Sequence, residues 1–254
     1  MPGLWNSLYQ ITSWWPDRWE APERDFLGHR DIVTQSLSRY HFVARNVHGA
    51  LLEVGCGRGY GFEVLAMKST RLTGIDISKQ FLGKARDQFP AASFACASGN
   101  ALPFGDHSFD SVIAFEVIEH IADDVSFLRE LKRVSRKSAF IAISTPNILL
   151  ASGTSAKPLD PFHVREYRAS EFNHLLKQTF SSVDVFGQHE RRPDNQIVTN
   201  NLIDRIPIRW KYFFPHPVQS LLSVALRPAL RLEDCRFQNE NLESAHTFVA
   251  LCRP

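Results

Sequence analysis

The sequence predicts an α/β fold: a doubly wound sheet of seven strands with helices on both faces. Three observations predict it. Short apolar runs alternate with amphipathic stretches of helical length, a glycine-rich segment follows the first such run, and an acidic residue ends the second. A length of 254 residues with 44% hydrophobic content suits one well-formed core with embellishments.

The elements follow in order. Residues 1–30 are rich in tryptophan (Trp5, Trp14, Trp15, Trp19) and broken by prolines, which reads as a helical N-terminal flap. A helix is expected over Asp31–Val47, then a buried strand at Leu51–Val54 and a helix opening at Gly61. Leu72–Ile75 is the second strand, and Ser78 is placed to cap a helix running to Phe89. Ser93–Ala97 and Ser111–Phe115 read as strands, Ile121–Val134 as an amphipathic helix, and Phe140–Ile143 as a fifth strand. Ser170–Phe180 is a further helix, with strands at Val183–Val185 and Thr247–Leu251. The expected division is a flap at 1–30, a core at 31–187, a helical insertion at 188–243 between the last two strands, and the last strand within 244–254. The insertion is long enough to have a task, either shaping a pocket or making a homodimer contact. Its arginines and aromatic residues also suit peripheral contact with a membrane surface.

Bulk properties exclude some classes. A formal net charge of +2 gives no electrostatic case for nucleic acid. Cys56, Cys96, Cys235 and Cys252 lack metal or disulfide spacing and read as buried free thiols. No stretch reads as a signal peptide or a membrane span, so a cytoplasmic protein is expected.

The loop after the first strand carries the first chemistry. Glu53-Val54-Gly55-Cys56-Gly57-Arg58-Gly59 turns the backbone sharply and lets a ligand approach it closely. Tyr60 stands where the usual dinucleotide fingerprint has its third glycine. Glu53 would repel a pyrophosphate but suits an ammonium group. Asp76, at the end of the second strand, is placed to take both hydroxyls of a ribose.

These residues resemble the first two motifs of class I S-adenosylmethionine-dependent methyltransferases, in the type 11 and ubiquinone-pathway O-methyltransferase branches. Gly99-Asn100-Ala101-Leu102-Pro103-Phe104 is similar to their adenine-recognition segment, although Asn100 stands where many relatives have aspartate. Phe109–Ile113 resembles their fourth strand, so the resemblance covers roughly Leu51 to Val185. It implies a Rossmann-like sheet and S-adenosylmethionine as cofactor. Glu53, Gly55 and Gly57 would lie at the methionine part, Asp76 at the ribose, and Asn100 with Ala101 at the adenine.

A second group follows the fourth strand. If a helix begins at Phe115-Glu116-Val117-Ile118-Glu119-His120, then Glu116, Glu119 and His120 share one face at the carboxyl edge of the sheet. His163 comes off the same edge and is expected to join them. Such a set can hold a divalent ion, magnesium or manganese, or it can make His120 or His163 a general base. The Glu-x-x-Glu-His run resembles those of ubiquinone-pathway O-methyltransferases and of small-RNA 3′-end 2′-O-methyltransferases, both associated with metal. The span from Ser144-Thr-Pro-Asn to Pro161-Phe-His-Val-Arg-Glu-Tyr is similar to bacterial methyltransferases of glycans and polysaccharides. The leading acceptor is therefore a sugar hydroxyl on a glycan or small molecule. A quinone or phenolic lipid comes second, an RNA 3′ end third, and a non-catalytic cofactor-binding protein last.

Overall fold

The computed structural model describes residues 27–153, 158–191 and 230–254. Most of the expected flap, its tryptophans, and most of the insertion expected at 188–243 therefore lie outside the described residues. The chain divides into two compact units, residues 1–36 with 192–234 and residues 37–191 with 235–254. Of the first unit, the described backbone is helical from Leu27 and ends in a 3-10 turn at Leu232–Asp234.

The second unit holds one sheet of eight strands. In chain order the elements are α1 (Leu27–Ala44), β1 (Ala50–Val54), α2 (Phe62–Leu65), β2 (Arg71–Asp76), α3 (Lys79–Gln88), β3 (Ser93–Cys96) and β4 (Phe109–Phe115). There follow α4 (Asp124–Val134), β5 (Ser135–Pro146), α5 (Ile148–Ala151), α6 (Ala169–Lys177), β6 (Ser182–Glu190), β7 (Cys235–Gln238) and β8 (Thr247–Arg253). The strand order is β3-β2-β1-β4-β5-β8-β6-β7. Neighbours from β3 to β5 pair in parallel, and β8 runs antiparallel between β5 and β6.

Alternation along the buried strands explains the two layers. Leu52, Val112 and Ile141 face a core shared with Phe127, Leu128 and Leu131 of α4 and Phe172 and Leu176 of α6. Their neighbours Leu51, Ile113 and Ala142 face the opposite way, against Tyr40 and Val43 of α1 and Val64 and Leu65 of α2. A strand buried on both faces reads as a continuous apolar run, as Ala50–Val54 does apart from Glu53.

Some elements differ from the sequence reading. The eighth strand, β7, lies inside the segment expected to be helical and pairs antiparallel with Gly187–Glu190. Cys96 is exposed, whereas the other three cysteines are buried. Glu116 adopts a left-handed conformation, φ 54°, and only a 3-10 turn, Ile118–His120, follows it. The helix proper begins at Asp124, where Asp123 caps it by accepting from the Ser126 amide at 2.9 Å. Glu116, Glu119 and His120 thus do not share one face of an α-helix. Among the described residues no helix is long and apolar enough to cross a membrane.

Candidate active site

The candidate cofactor, catalytic and metal residues read from the sequence lie at or beyond the carboxyl ends of β1 to β5. The loop after β1 closes tightly because Gly55 and Cys56 both donate their amides to the Ile75 carbonyl at 2.9 Å. Gly55 has φ 72°, and a Cβ there would strike the Val117 side chain. Gly57, φ 53°, differs: a Cβ there would meet no atom within 4 Å. Its amide donates to Asp76 Oδ2 at 2.9 Å, while the Ser78 amide donates to Asp76 Oδ1 at 2.8 Å. The carboxylate is thereby fixed with lone pairs to spare for a pair of hydroxyls.

Glu53 is buried within β1, 1% exposed. Its Oε1 accepts from the Tyr40 hydroxyl at 2.5 Å, and Oε2 has no partner among the described residues. Burial pushes its pKa up to about 8; the Tyr40 hydrogen bond lowers it in part, and the charge of Asp76 raises it. Tyr40 is itself raised well above the usual phenol range, chiefly by burial.

Asn100 sits after β3 with a buried Oδ1 that has no donor. The Ala101 amide is committed to the Ser98 carbonyl at 3.1 Å, so Ala101 contributes position rather than a free donor. Arg133 of α4 holds the segment beyond it, donating to the Phe104 carbonyl at 2.8 Å and the Leu102 carbonyl at 3.1 Å. Glu130 completes the clamp by accepting from the Leu102 amide at 2.9 Å.

The third group lies beyond β4 and β5. Glu119, His120 and His163 each bring one ligand-type atom within 4.8 Å of the others. Glu119 is fully buried; its Oε2 accepts from Thr145 Oγ1 at 3.2 Å, and among the described residues its Oε1 has no donor. Burial first, and then the charge of Glu116, hold Glu119 well above the usual carboxylate range. Glu116 lies outside the trio, its Oε1 accepting from Ser144 Oγ at 2.7 Å.

The two imidazoles make an edge-on pair with centroids 4.9 Å apart. His120 Nδ1 lies 2.9 Å from the Phe162 carbonyl, and His163 Nδ1 lies 2.8 Å from Glu166 Oε1. The loop bearing His163 is pinned at both sides. The amides of Val164 and Arg165 donate to the Glu119 carbonyl, while the Arg165 guanidinium and the Tyr167 hydroxyl donate to Asp124.

Sequence reasoning missed Tyr40, Ser144, Thr145 and Glu166. His163-x-x-Glu166 offered a signal in its spacing. Tyr40 offered none, since only packing of α1 brings it to β1.

Comparisons with known proteins find similar sequences and a similar fold. A family model described as a methyltransferase domain matches residues 52–143. The chain is 34% identical over 168 residues to a Mycolicibacterium smegmatis protein carried under the name "Probable S-adenosylmethionine-dependent methyltransferase", covering 66% of this chain and 63% of that one. It is 30% identical over 188 residues to the O-methyltransferase cnsE of Penicillium expansum, covering 70% of this chain and 67% of that one. The chain thus spans less than two thirds of the mycobacterial relative. Among solved structures, a SAM-dependent methyltransferase from Thermotoga maritima superposes with TM-score 0.63 at 15% identity, covering 97% of this chain and 100% of the other.

Proposed function

The chain belongs to the class I S-adenosylmethionine-dependent methyltransferases, and we propose that it methylates a hydroxyl oxygen, and that the hydroxyl belongs to a sugar. The observation that carries this reading is the histidine pair. Each ring has Nδ1 engaged by an acceptor, which leaves Nε2 as the proton-accepting nitrogen. A neutral amine needs no such base, but a hydroxyl does. The name of the fungal relative, an O-methyltransferase, points the same way.

The cofactor fits the residues present. Glu53 Oε2 and Asn100 Oδ1 are buried oxygens with no partner among the described residues; they suit an ammonium, which would hold the Glu53 carboxyl in its ionised form, and an adenine amino group. Asp76 suits the ribose diol, and the open space over Gly57 suits a ligand lying against the backbone. Bound there, S-adenosylmethionine supplies an electrophilic methyl group on its sulfonium sulfur. Glu53, Asp76 and Asn100 would orient it along the strand ends, and the glycine loop would shield one side from water. His163 or His120 would take the acceptor's hydroxyl proton at Nε2 as oxygen replaces sulfur on the methyl carbon.

The sugar assignment is supported by the Ser144–Tyr167 segment and by the near-balanced charge, which disfavours an RNA track. The test is transfer of radiolabelled methyl to a panel of methyl hexopyranosides, catechol and a short RNA with a free 3′ end. Label in a hexopyranoside ether is expected. Label confined to catechol or RNA would overturn the sugar, and cofactor binding without label anywhere would overturn turnover itself.

A second reading adds a divalent ion, favoured by the Glu119, His120 and His163 cluster and the orphaned Glu119 Oε1. That mixed oxygen and nitrogen set suits manganese, iron or zinc better than magnesium. An ion there would make the hydroxyl more acidic.

A further inference from the structure

Glu166 is a buried carboxylate, its side chain 1% exposed, and its one hydrogen-bonding contact among the described residues is His163. Its Oε2 has no donor among the described residues. Burial of such a group is costly, so its place needs a reason. Anchoring the loop is not that reason. Arg165 and Tyr167, the residues on either side, reach Asp124 at 3.1 and 3.0 Å and fasten the loop to α4. Arg165 also lies over the Tyr167 ring, 4.9 Å from its centroid. Glu166 contacts the other side, toward the histidine pair.

We propose that Glu166 is a positioning residue that locks His163 in the Nδ1–H form, so that Nε2 carries the lone pair facing the acceptor site. A carboxylate accepts and does not donate, so the ring nitrogen 2.8 Å from it carries the hydrogen. The Phe162 carbonyl imposes the same form on His120 at 2.9 Å. Both rings thereby present Nε2 as acceptor, one oriented by a backbone atom and one by a replaceable side chain. The role holds whether Nε2 of His163 takes a proton or binds an ion, since a carboxylate behind an imidazole orients either. The inference rests on the proposed reading of the histidine pair, with His163 as the member that serves the acceptor hydroxyl.

The test reads the tautomer directly. In ¹⁵N-labelled protein at pH 8.5 with S-adenosylhomocysteine, the His163 signals, assigned by their loss in His163→Gln, should show the Nδ1–H pattern. Glu166→Met, which keeps the length and removes the acceptor, should shift them to the Nε2–H pattern, and Glu166→Asp should restore the original. Methyl transfer to the hexopyranoside used by the wild type should fall tenfold to a hundredfold in Glu166→Met, with S-adenosylhomocysteine affinity within twofold. An unchanged tautomer in Glu166→Met overturns the proposal, as does a parallel loss of cofactor affinity, which would mark a merely structural residue. The tautomer is read without an acceptor. A shift in Glu166→Met alongside a wild type inert toward every hexopyranoside would sustain the role of Glu166 and sink the sugar.

Discussion

The Tyr40 hydroxyl lies 2.5 Å from Glu53 Oε1, which ties α1 to the middle of the sheet at a carboxyl group whose other oxygen has no partner. Burial raises the Glu53 pKa from an ordinary 4.5 to about 8. The folded state therefore keeps a proton that the unfolded state has released between those values. Glu53 contributes most to stability below pH 4.5, and that contribution is lost as pH rises toward 8. Glu53→Gln should abolish this loss, so relative to wild type it gains stability from pH 5 to 8, by up to roughly 3–5 kcal/mol. Urea unfolding of the cofactor-free protein across that range checks it, and parallel curves for the two proteins would refute it.

Gly57 offers a sharper test of the cofactor's place. A Cβ there would meet no atom of the described residues within 4 Å, so a side chain starts from open space on the side where the cofactor is expected. Gly57→Arg should abolish S-adenosylhomocysteine binding by calorimetry while the thermal midpoint moves by only a few degrees. The left-handed backbone alone costs roughly 1–2 kcal/mol, which bounds the damage to the fold. Retained affinity in the variant would place the cofactor elsewhere.

Asn100 tests the adenine end. Its unpaired Oδ1 should accept from an amino group, a bond worth about 0.5–1.5 kcal/mol. Asn100→Leu should then weaken S-adenosylhomocysteine roughly threefold to tenfold, and Asn100→Asp, which keeps an acceptor, should bind at least as tightly as wild type. Equal affinity in all three proteins would remove Asn100 from the cofactor site.

What was legible in the sequence was what is local. The glycines of the β1 loop, Asp76 at the end of β2, and Ser78, which accepts from the Phe81 amide at 3.2 Å, are recognisable from neighbours a few positions away, although Ile75 and Asp76 close the loop from the next strand. Glu116 was misread because its conformation is fixed from β5: Ser144 meets both its amide, through Oγ at 3.1 Å, and its carboxylate. That partner is 28 residues away and invisible to helical periodicity. The strand β7 was missed for the same reason. Cys235-Arg236-Phe237-Gln238 is too short and mixed to declare itself, and it exists by pairing with an extended β6. His120 and His163 were placed together correctly, since both follow strands whose carboxyl ends adjoin in the sheet. From sequence Glu166 reads, beside Arg165 and Tyr167, as a third anchor of the loop, and only the fold of that loop brings its carboxylate to His163.

The ion and the lone base make opposite predictions at the histidine pair. If Glu119, His120 and His163 hold a metal, EDTA should abolish methyl transfer and manganese should restore it. Glu119→Gln should weaken manganese binding at least tenfold by calorimetry, because a carboxylate ligand is replaced by a neutral amide. S-adenosylhomocysteine affinity should stay within twofold, since Glu53, Asp76 and Asn100 are untouched. Burial and the charge of Glu116 favour the protonated form of Glu119, so manganese must compete with that proton and its affinity should rise with pH. If one histidine instead works alone, EDTA should leave the rate unchanged and manganese should give no binding heat. The orphaned Glu119 Oε1 would then want its donor from the acceptor, so Glu119→Gln would raise KM for the acceptor rather than affinity for an ion. A chelator-resistant enzyme with that KM effect would remove the metal and keep the base.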